Sequence, residues 1–319
     1  MRPRPTRRSL LLGLAAAPLL PGALRAQEPL GVVATTGMIA DTARVLGGDG
    51  VAVRALMGPG VDPHAYRQTR SDIAAMVNAD LTLWHGLYLE AQMEDFLREL
   101  AVRKPVVSVG DSIPAERLLA HDEYPDRHDP HVWMDPALWA PVAASIGGAL
   151  LAVGPALPVQ ANLEAYADEL DALVRYSAEV LATVPEESRV LVTAHDAFGY
   201  FGRAYGFDVQ GIQGISTESE AGVARIEELV SLLVERNVRA VFVESSVSDR
   251  GLRALIEGAA ARSHEVTIGG QLFSDAMGPD GTYEGTYLGM IDHNVTTIAR
   301  ALGGEAPERG RLGLLGAGT

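Results

Sequence analysis

No cysteine occurs in the 319 residues, which excludes disulfides, thiolate nucleophiles and every zinc site built on sulfur. Any metal must therefore be held by nitrogen and oxygen. Basic side chains are also scarce. The 26 Lys and Arg stand against 41 Asp and Glu, a formal charge of −15, which argues against the basic face that a nucleic-acid binder needs. Charged residues make up only 21% of the chain and hydrophobic ones 47%, too apolar for disorder and enough for one large or two ordinary globular domains. No low-complexity tract and no repeat of fixed period occurs.

What is present begins with an address. Arg7 and Arg8 precede Ser9 and three leucines, an apolar run follows to Leu20, and Ala23-Leu24-Arg25-Ala26 closes the segment before Gln27. The run is shorter than the ~20 residues of a membrane-spanning helix. Its paired arginines resemble a twin-arginine (Tat) export signal. Residues 1–26 are thus expected to be cleaved, leaving a soluble periplasmic protein that, lacking cysteine, is not a lipoprotein. Cleavage removes five arginines and no acid, which lowers the formal charge from −15 to −20.

Beyond the signal, β-branched apolar runs alternate with helical patterns, the signature of parallel sheets with crossover helices. The strands expected are Gly31–Thr35, Val51–Met57, Leu81–Trp84 and Val106–Val109, then Val190–Ala194, Phe207–Gly211, Ala240–Glu244 and Glu265–Ile268. Between the two sets, Leu163, Tyr166, Leu170, Leu173, Tyr176, Val180 and Leu181 recur at helical spacing. They predict one amphipathic helix from about Pro158 to Thr183, bounded by prolines and roughly 40 Å long, a rigid strut more than a linker. The fold class expected is α/β: two lobes with mainly parallel four-stranded sheets, joined by that helix. The divisions are 27–155 for the first lobe, 156–185 for the linking helix and 186–319 for the second lobe.

Metal chemistry is suggested at four places. Asp62-Pro63-His64 and Asp129-Pro130-His131 repeat one tripeptide in which proline stiffens the backbone and aims the histidine. Neutral imidazole is the commonest metal ligand. His195 follows the apolar run Val190-Leu-Val-Thr-Ala, at the strand edge where open α/β sheets bind ligands, and reads equally as a ligand or a satisfied loop histidine. Asp275, after Gly269-Gly270-Gln-Leu-Phe-Ser, suits either a ligand or a helix N-cap.

Taken together, these segments resemble the solute-binding receptors of bacterial zinc/manganese ABC importers, the TroA-like family (cluster A-I). The resemblance spans essentially the whole mature chain. It is carried by the Asp-Pro-His64 loop, Asp-Pro-His131-Val-Trp-Met-Asp, Thr-Ala-His195-Asp-Ala-Phe-Gly-Tyr, Gly-Ile-Ser216-Thr-Glu-Ser-Glu-Ala, Phe242-Val-Glu-Ser-Ser and Leu272-Phe-Ser-Asp275. It implies that His64 and His131 from one lobe, with His195 and Asp275 from the other, hold Zn2+ or Mn2+ in the cleft as transported cargo. It also implies an ABC permease with its ATPase as partner, no organic cofactor, no catalysis and a monomeric receptor. Three imidazoles and one carboxylate suit tetrahedral zinc, or manganese if Asp275 binds through both oxygens, and leave no open position for an activated water. In manganese-type members a glutamate often stands where His195 stands. Zinc-type members often carry a long His-rich loop where this chain has only His121 and His128.

Around the ligands, His85, Asp135 and Glu244 are candidates for outer positions, Asp135 and Glu244 as acceptors for a ligand histidine's second N–H. For both, an ordinary hydrogen bond or cap is the competing reading. His121 and His128 read as part of a solvated acidic turn, and His264 and His293 as surface or helix-face residues. The competing functions are a receptor of the same fold for a metal chelate and a zinc metallohydrolase. The latter needs a His-Glu-x-x-His helix that this sequence does not show.

Overall fold

The computed structural model describes residues 28–121, 124 and 126–316; the expected signal, residues 1–26, lies outside them. Strand β1 (Leu30–Ala34) is the inner strand of the first lobe, pairing in parallel with β2 (Val51–Ala55) on one side and β3 (Leu81–Trp84) on the other. Beyond β3 lies β4 (Val106–Ser108), which completes the order β2-β1-β3-β4. All four residues of β3 are buried, as an interior strand of a parallel sheet requires, whereas β2 alternates part-buried and exposed residues at its edge. Helices α1 (Gly37–Gly47), α2 (Arg70–Asn78) and α3 (Glu94–Ala101) form the crossovers that parallel pairing demands.

Two helices lead out of this lobe. The first, α4 (Pro136–Val153), begins with proline at its first position, and the Asp135 carboxylate accepts the Ala137 N–H at 2.9 Å as its cap. The second, α5 (Val159–Leu181), is the expected long helix: 23 residues, or about 35 Å at 1.5 Å per residue. Its buried stripe is Tyr166, Leu170, Leu173, Ser177, Val180 and Leu181, which follows the predicted periodicity except for Ser177.

The second lobe contains β5 (Val190–Thr193), α6 (Gly199–Tyr205), β6 (Asp208–Gly211), α7 (Val223–Glu235), β7 (Ala240–Glu244), α8 (Arg250–Ala261), β8 (Thr267–Leu272) and α9 (Tyr287–Ala301). It differs from the expectation of one four-stranded sheet. Its strands form two parallel pairs, β5 with β6 and β7 with β8, and no ladder joins β5 to β7 although they run side by side. Where β5 ends, the His195 N–H is taken at 2.8 Å by the Glu244 carboxylate, so a side chain stitches the two pairs together at this edge. Strand β8 also runs further than expected, through Gly269 and Gly270, with a bulge at Gly269 where the pairing steps from Val241–Ile268 to Phe242–Gly270. A Cβ on Gly270 would come within 2.4 Å of the Thr297 side chain in α9, and one on Gly269 within 2.9 Å of the Phe242 ring. The glycine pair admits close neighbours to the strand instead of ending it.

Helix α5 packs against α1 and α4 of the first lobe and against α9 of the second. One apolar cluster runs without a break from Leu83 and Trp133 through Leu170 of α5 to Phe242, Tyr287 and Val295. The lobes thus share a core.

Candidate metal centre

The carboxyl ends of the parallel strands face a common cleft, the edge at which open α/β sheets bind ligands. His64 lies in the loop after β2, His195 two residues past β5 and Asp275 three past β8, while His131 sits between β4 and α4. In both Asp-Pro-His tripeptides the aspartate Oδ1 accepts the histidine N–H at 2.9 Å, across a proline that has no N–H of its own. This local turn points each imidazole inward.

All four side chains are buried, and one potential ligand atom from each lies within 4.8 Å of all the others. His64 Nε2 is 3.2 Å from His131 Nε2 and 3.9 Å from Asp275 Oδ2; His131 Nε2 is 3.4 Å from Asp275 Oδ1, and His195 Nε2 is 3.2 Å from Asp275 Oδ2. Ligand atoms about 2.1 Å from one tetrahedral ion stand roughly 3.4 Å apart, so the spacing fits a single ion. The contacts to Asp275 lack hydrogen-bond geometry: His195 Nε2 and both Asp275 oxygens are buried with no hydrogen-bond partner among the described residues. Buried polar atoms are rarely left so, and a cation satisfies all three at once.

The electrostatics favour a positive guest. Burial opposes protonation of His131, yet Asp129 and Asp275 outweigh it and push its pKa up to about 9. His195 is likewise carried well above the ordinary histidine value by Asp275 and Glu244 against the cost of burial. Asp275, despite its burial, is held well below the carboxylate range by His195 and His131. His64 moves the other way: burial outweighs the pull of Asp275, and with the His131 and His195 charges drops it to about 3. At the far side of two rings a carboxylate accepts from Nδ1, Asp129 for His131 at 2.6 Å and Glu244 for His195 at 2.5 Å. A proton kept on Nδ1 leaves the Nε2 lone pair free to face an ion.

Other sequence candidates fall in different places. Glu244 touches a ligand histidine, whereas Asp135 only caps α4, because its carboxylate is taken by the Ala137 N–H. His85 Nε2 donates to the Pro130 carbonyl, 2.8 Å away, and so braces the residue before His131 without joining the four-residue cluster. His121, expected on a solvated turn, is buried with its ring 4.9 Å from Tyr124. His293, expected on the surface or a helix face, lies on α9 with its ring buried against Phe273 and bonded to the Gln271 carbonyl at 2.8 Å. His264 is half-buried and bonded to the Val238 carbonyl at 2.6 Å. The role of Asp129 was not read from the sequence, although it is the first residue of the tripeptide that supplies His131. Thr217, at the opposite rim, donates to Asp62 Oδ2 at 2.6 Å and ties the His64 loop to the second lobe.

The family described as zinc-uptake complex component A, periplasmic (ZnuA) matches residues 32–301. The manganese-binding lipoprotein MntA of Bacillus subtilis is 47% identical over 279 residues, 87% of this chain and 91% of that protein. The zinc-binding protein TroA of Treponema pallidum is 45% identical over 277 residues, 86% of this chain and 89% of that protein. A solved structure of TroA superposes with a TM-score of 0.84 at 44% identity, covering 86% of this chain and 99% of the other. These relatives correct the localisation expected above. MntA is by name a lipoprotein, which stands against the non-lipidated, twin-arginine-exported receptor expected from the sequence. That expectation rested on the absence of cysteine, and these 319 residues do differ from a lipoprotein in holding none. With the match running through both lobes and the fold shared with TroA, the chain belongs to the ZnuA family of solute-binding proteins of zinc and manganese ABC importers.

Proposed function

We propose that this protein captures one Zn2+ or Mn2+ ion between its lobes, through His64, His131, His195 and Asp275, and delivers it to a membrane permease driven by an ATPase. Residues 27–155 and 186–319 act as the two lobes, 156–185 as the strut between them, and the receptor works as a monomer. One observation carries the reading: two residues from each lobe place buried potential ligand atoms within 4.8 Å of one another, and among the described residues His195 Nε2 and both Asp275 oxygens have no hydrogen-bond partner. Separations of no more than 4.8 Å leave room for a bare ion and none for an ion wrapped in an organic chelator, which speaks against the chelate-receptor alternative. Four protein ligands also fill a tetrahedral shell, and a hydrolytic zinc needs one position for water. Carriage of the ion, not chemistry upon it, follows.

The donor set accepts either metal. Zinc stands above manganese in the affinity order of nitrogen and oxygen sites, so tighter zinc binding is expected in vitro whichever ion is carried in the cell. The test is the melting temperature of chelator-stripped protein, alone and with equal concentrations of zinc, manganese or magnesium. A ligand at ~100 times its Kd adds about 2.7 kcal/mol to the native state, a shift of several degrees. A rise with zinc and manganese but not magnesium is expected. No rise with either transition metal, or an equal rise with magnesium, overturns the reading.

A further inference from the structure

The segment that supplies His131 continues into Trp133, which is no ligand and yet is fully buried beside the site. Its indole Nε1–H donates to the Ser274 carbonyl at 2.8 Å, and Ser274 precedes Asp275 in the other lobe. Its own carbonyl accepts the Tyr287 hydroxyl at 2.9 Å, again from the other lobe, at the start of α9. The indole ring meets the His131 ring edge to face with centroids 5.2 Å apart, and the His85 ring in the same way at 4.9 Å. One side chain therefore packs against His131 of the first lobe and hydrogen-bonds Ser274, the neighbour of Asp275, in the second. The ligand atoms it stands behind, His131 Nε2 and Asp275 Oδ1, are 3.4 Å apart.

We infer that Trp133 is the positioning residue that sets the His131–Asp275 separation across the cleft, by tying the Asp275 loop to the His131 ring through Ser274. The inference rests on the metal-receptor reading above. Asp275 is three residues beyond β8, where no strand ladder fixes it, and its two oxygens make no hydrogen bond that would hold the carboxylate. Within its own lobe the loop is held by Asn294, bonded to the Phe273 N–H at 2.9 Å and carbonyl at 2.7 Å, and by Ser246 at the Ser274 hydroxyl; the Trp133 bond adds the restraint toward His131, so less ordering remains to be done when the ion arrives. Trp139 is the internal control. It is as deeply buried and its ring stacks on Tyr287 of the second lobe at 4.9 Å, but its Nε1–H donates to Thr42 at 3.1 Å, and among the described residues no hydrogen bond or ring contact links it to Ser274 or to His64, His131 or His195.

The experiment compares wild type, Trp133→Phe and Trp139→Phe as full chains, with zinc affinity read by competition against a chelator of known strength and ligand geometry by the visible absorption of the Co2+-loaded protein. Both substitutions should lower the melting temperature of metal-free protein. Only Trp133→Phe should weaken zinc, by about tenfold, the low end of what losing an outer support of a metal site costs, and only it should shift the cobalt bands. If Trp133→Phe binds zinc as wild type does with unchanged cobalt bands, or if Trp139→Phe weakens zinc equally, the inference fails while the receptor reading stands. Wild type that binds no zinc instead removes the receptor reading itself. Should Trp133→Phe not fold, Tyr287→Phe loosens the same residue from its carbonyl side; weaker zinc binding is expected there, and wild-type affinity overturns the proposal.

Discussion

Each ligand histidine has a carboxylate at its own backbone N–H: Asp62 for His64, Asp129 for His131 and Glu244 for His195. Only the last two also accept from the ring. This difference orders the expected losses. Asp129→Asn and Glu244→Gln should each weaken zinc about ten- to hundredfold, because an amide in place of the acceptor no longer secures the ring's orientation and basicity. Asp62→Asn should cost less, since Asp62 does not touch the His64 ring. Competition titration of the folded variants measures all three; equal affinities across the set would contradict the assignment. The sequence exposed these supports unevenly. Glu244 lies 49 residues from His195, so the sequence offers it as an acceptor for a histidine without saying which one. Asp129 was hidden by proximity: the tripeptide is read for proline's stiffness, while the aspartate that grips both nitrogens of the histidine two residues on is the local signal for its role.

Helix α2 follows the His64 loop, and its start is unusually well tied. Thr69 and Asp72 form a capping box, and the Asp72 carboxylate also takes the Tyr66 hydroxyl at 2.8 Å and Arg54 at 3.0 Å. Burial alone would raise the Asp72 pKa, but the bonds from Thr69 and Tyr66 with the charge of Arg54 bring it below 3.8. A depressed carboxylate stabilises the fold where it is ionised, above the unfolded value, and loses that effect as pH falls through its folded pKa. Asp72→Asn should therefore melt below wild type at pH 5 to 7, with the gap closing as pH drops under about 3.8. Thermal melts of both proteins along this range check it, and a gap independent of pH would contradict the stated cause. Elements with a strong periodic signal were legible in advance. Helix α5 begins one residue from the expected start, and β3 and β7 have the expected bounds. Strand β8 was misjudged because Gly269 and Gly270 read as a stop, and their real task, clearance for Phe242 and Thr297, is a tertiary contact that no local pattern carries.

At the scale of the whole molecule, the candidate site lies between two lobes that share one apolar core. A single apolar cluster crosses from the first sheet through α5 to α9, and cross-lobe bonds flank the ligands at Asp62–Thr217, Trp133–Ser274 and Trp133–Tyr287. The lobe architecture was legible from alternating strands and helices, whereas the shared core was not, because apolar residues of both halves look alike until they pack. Since the four potential ligand atoms already lie within 4.8 Å of one another, filling the site is expected to need small local shifts and no large closure, which scattering curves of metal-free and loaded protein check. The central claim is that one ion is held by three imidazoles and one carboxylate drawn from both lobes. X-ray absorption fine structure at the zinc edge of the loaded protein tests it most directly. The account predicts a four-ligand shell with bonds of about 2.0–2.1 Å and the outer scattering of three imidazole rings. A shell of oxygen alone, or one with the scattering of a single imidazole, would contradict it.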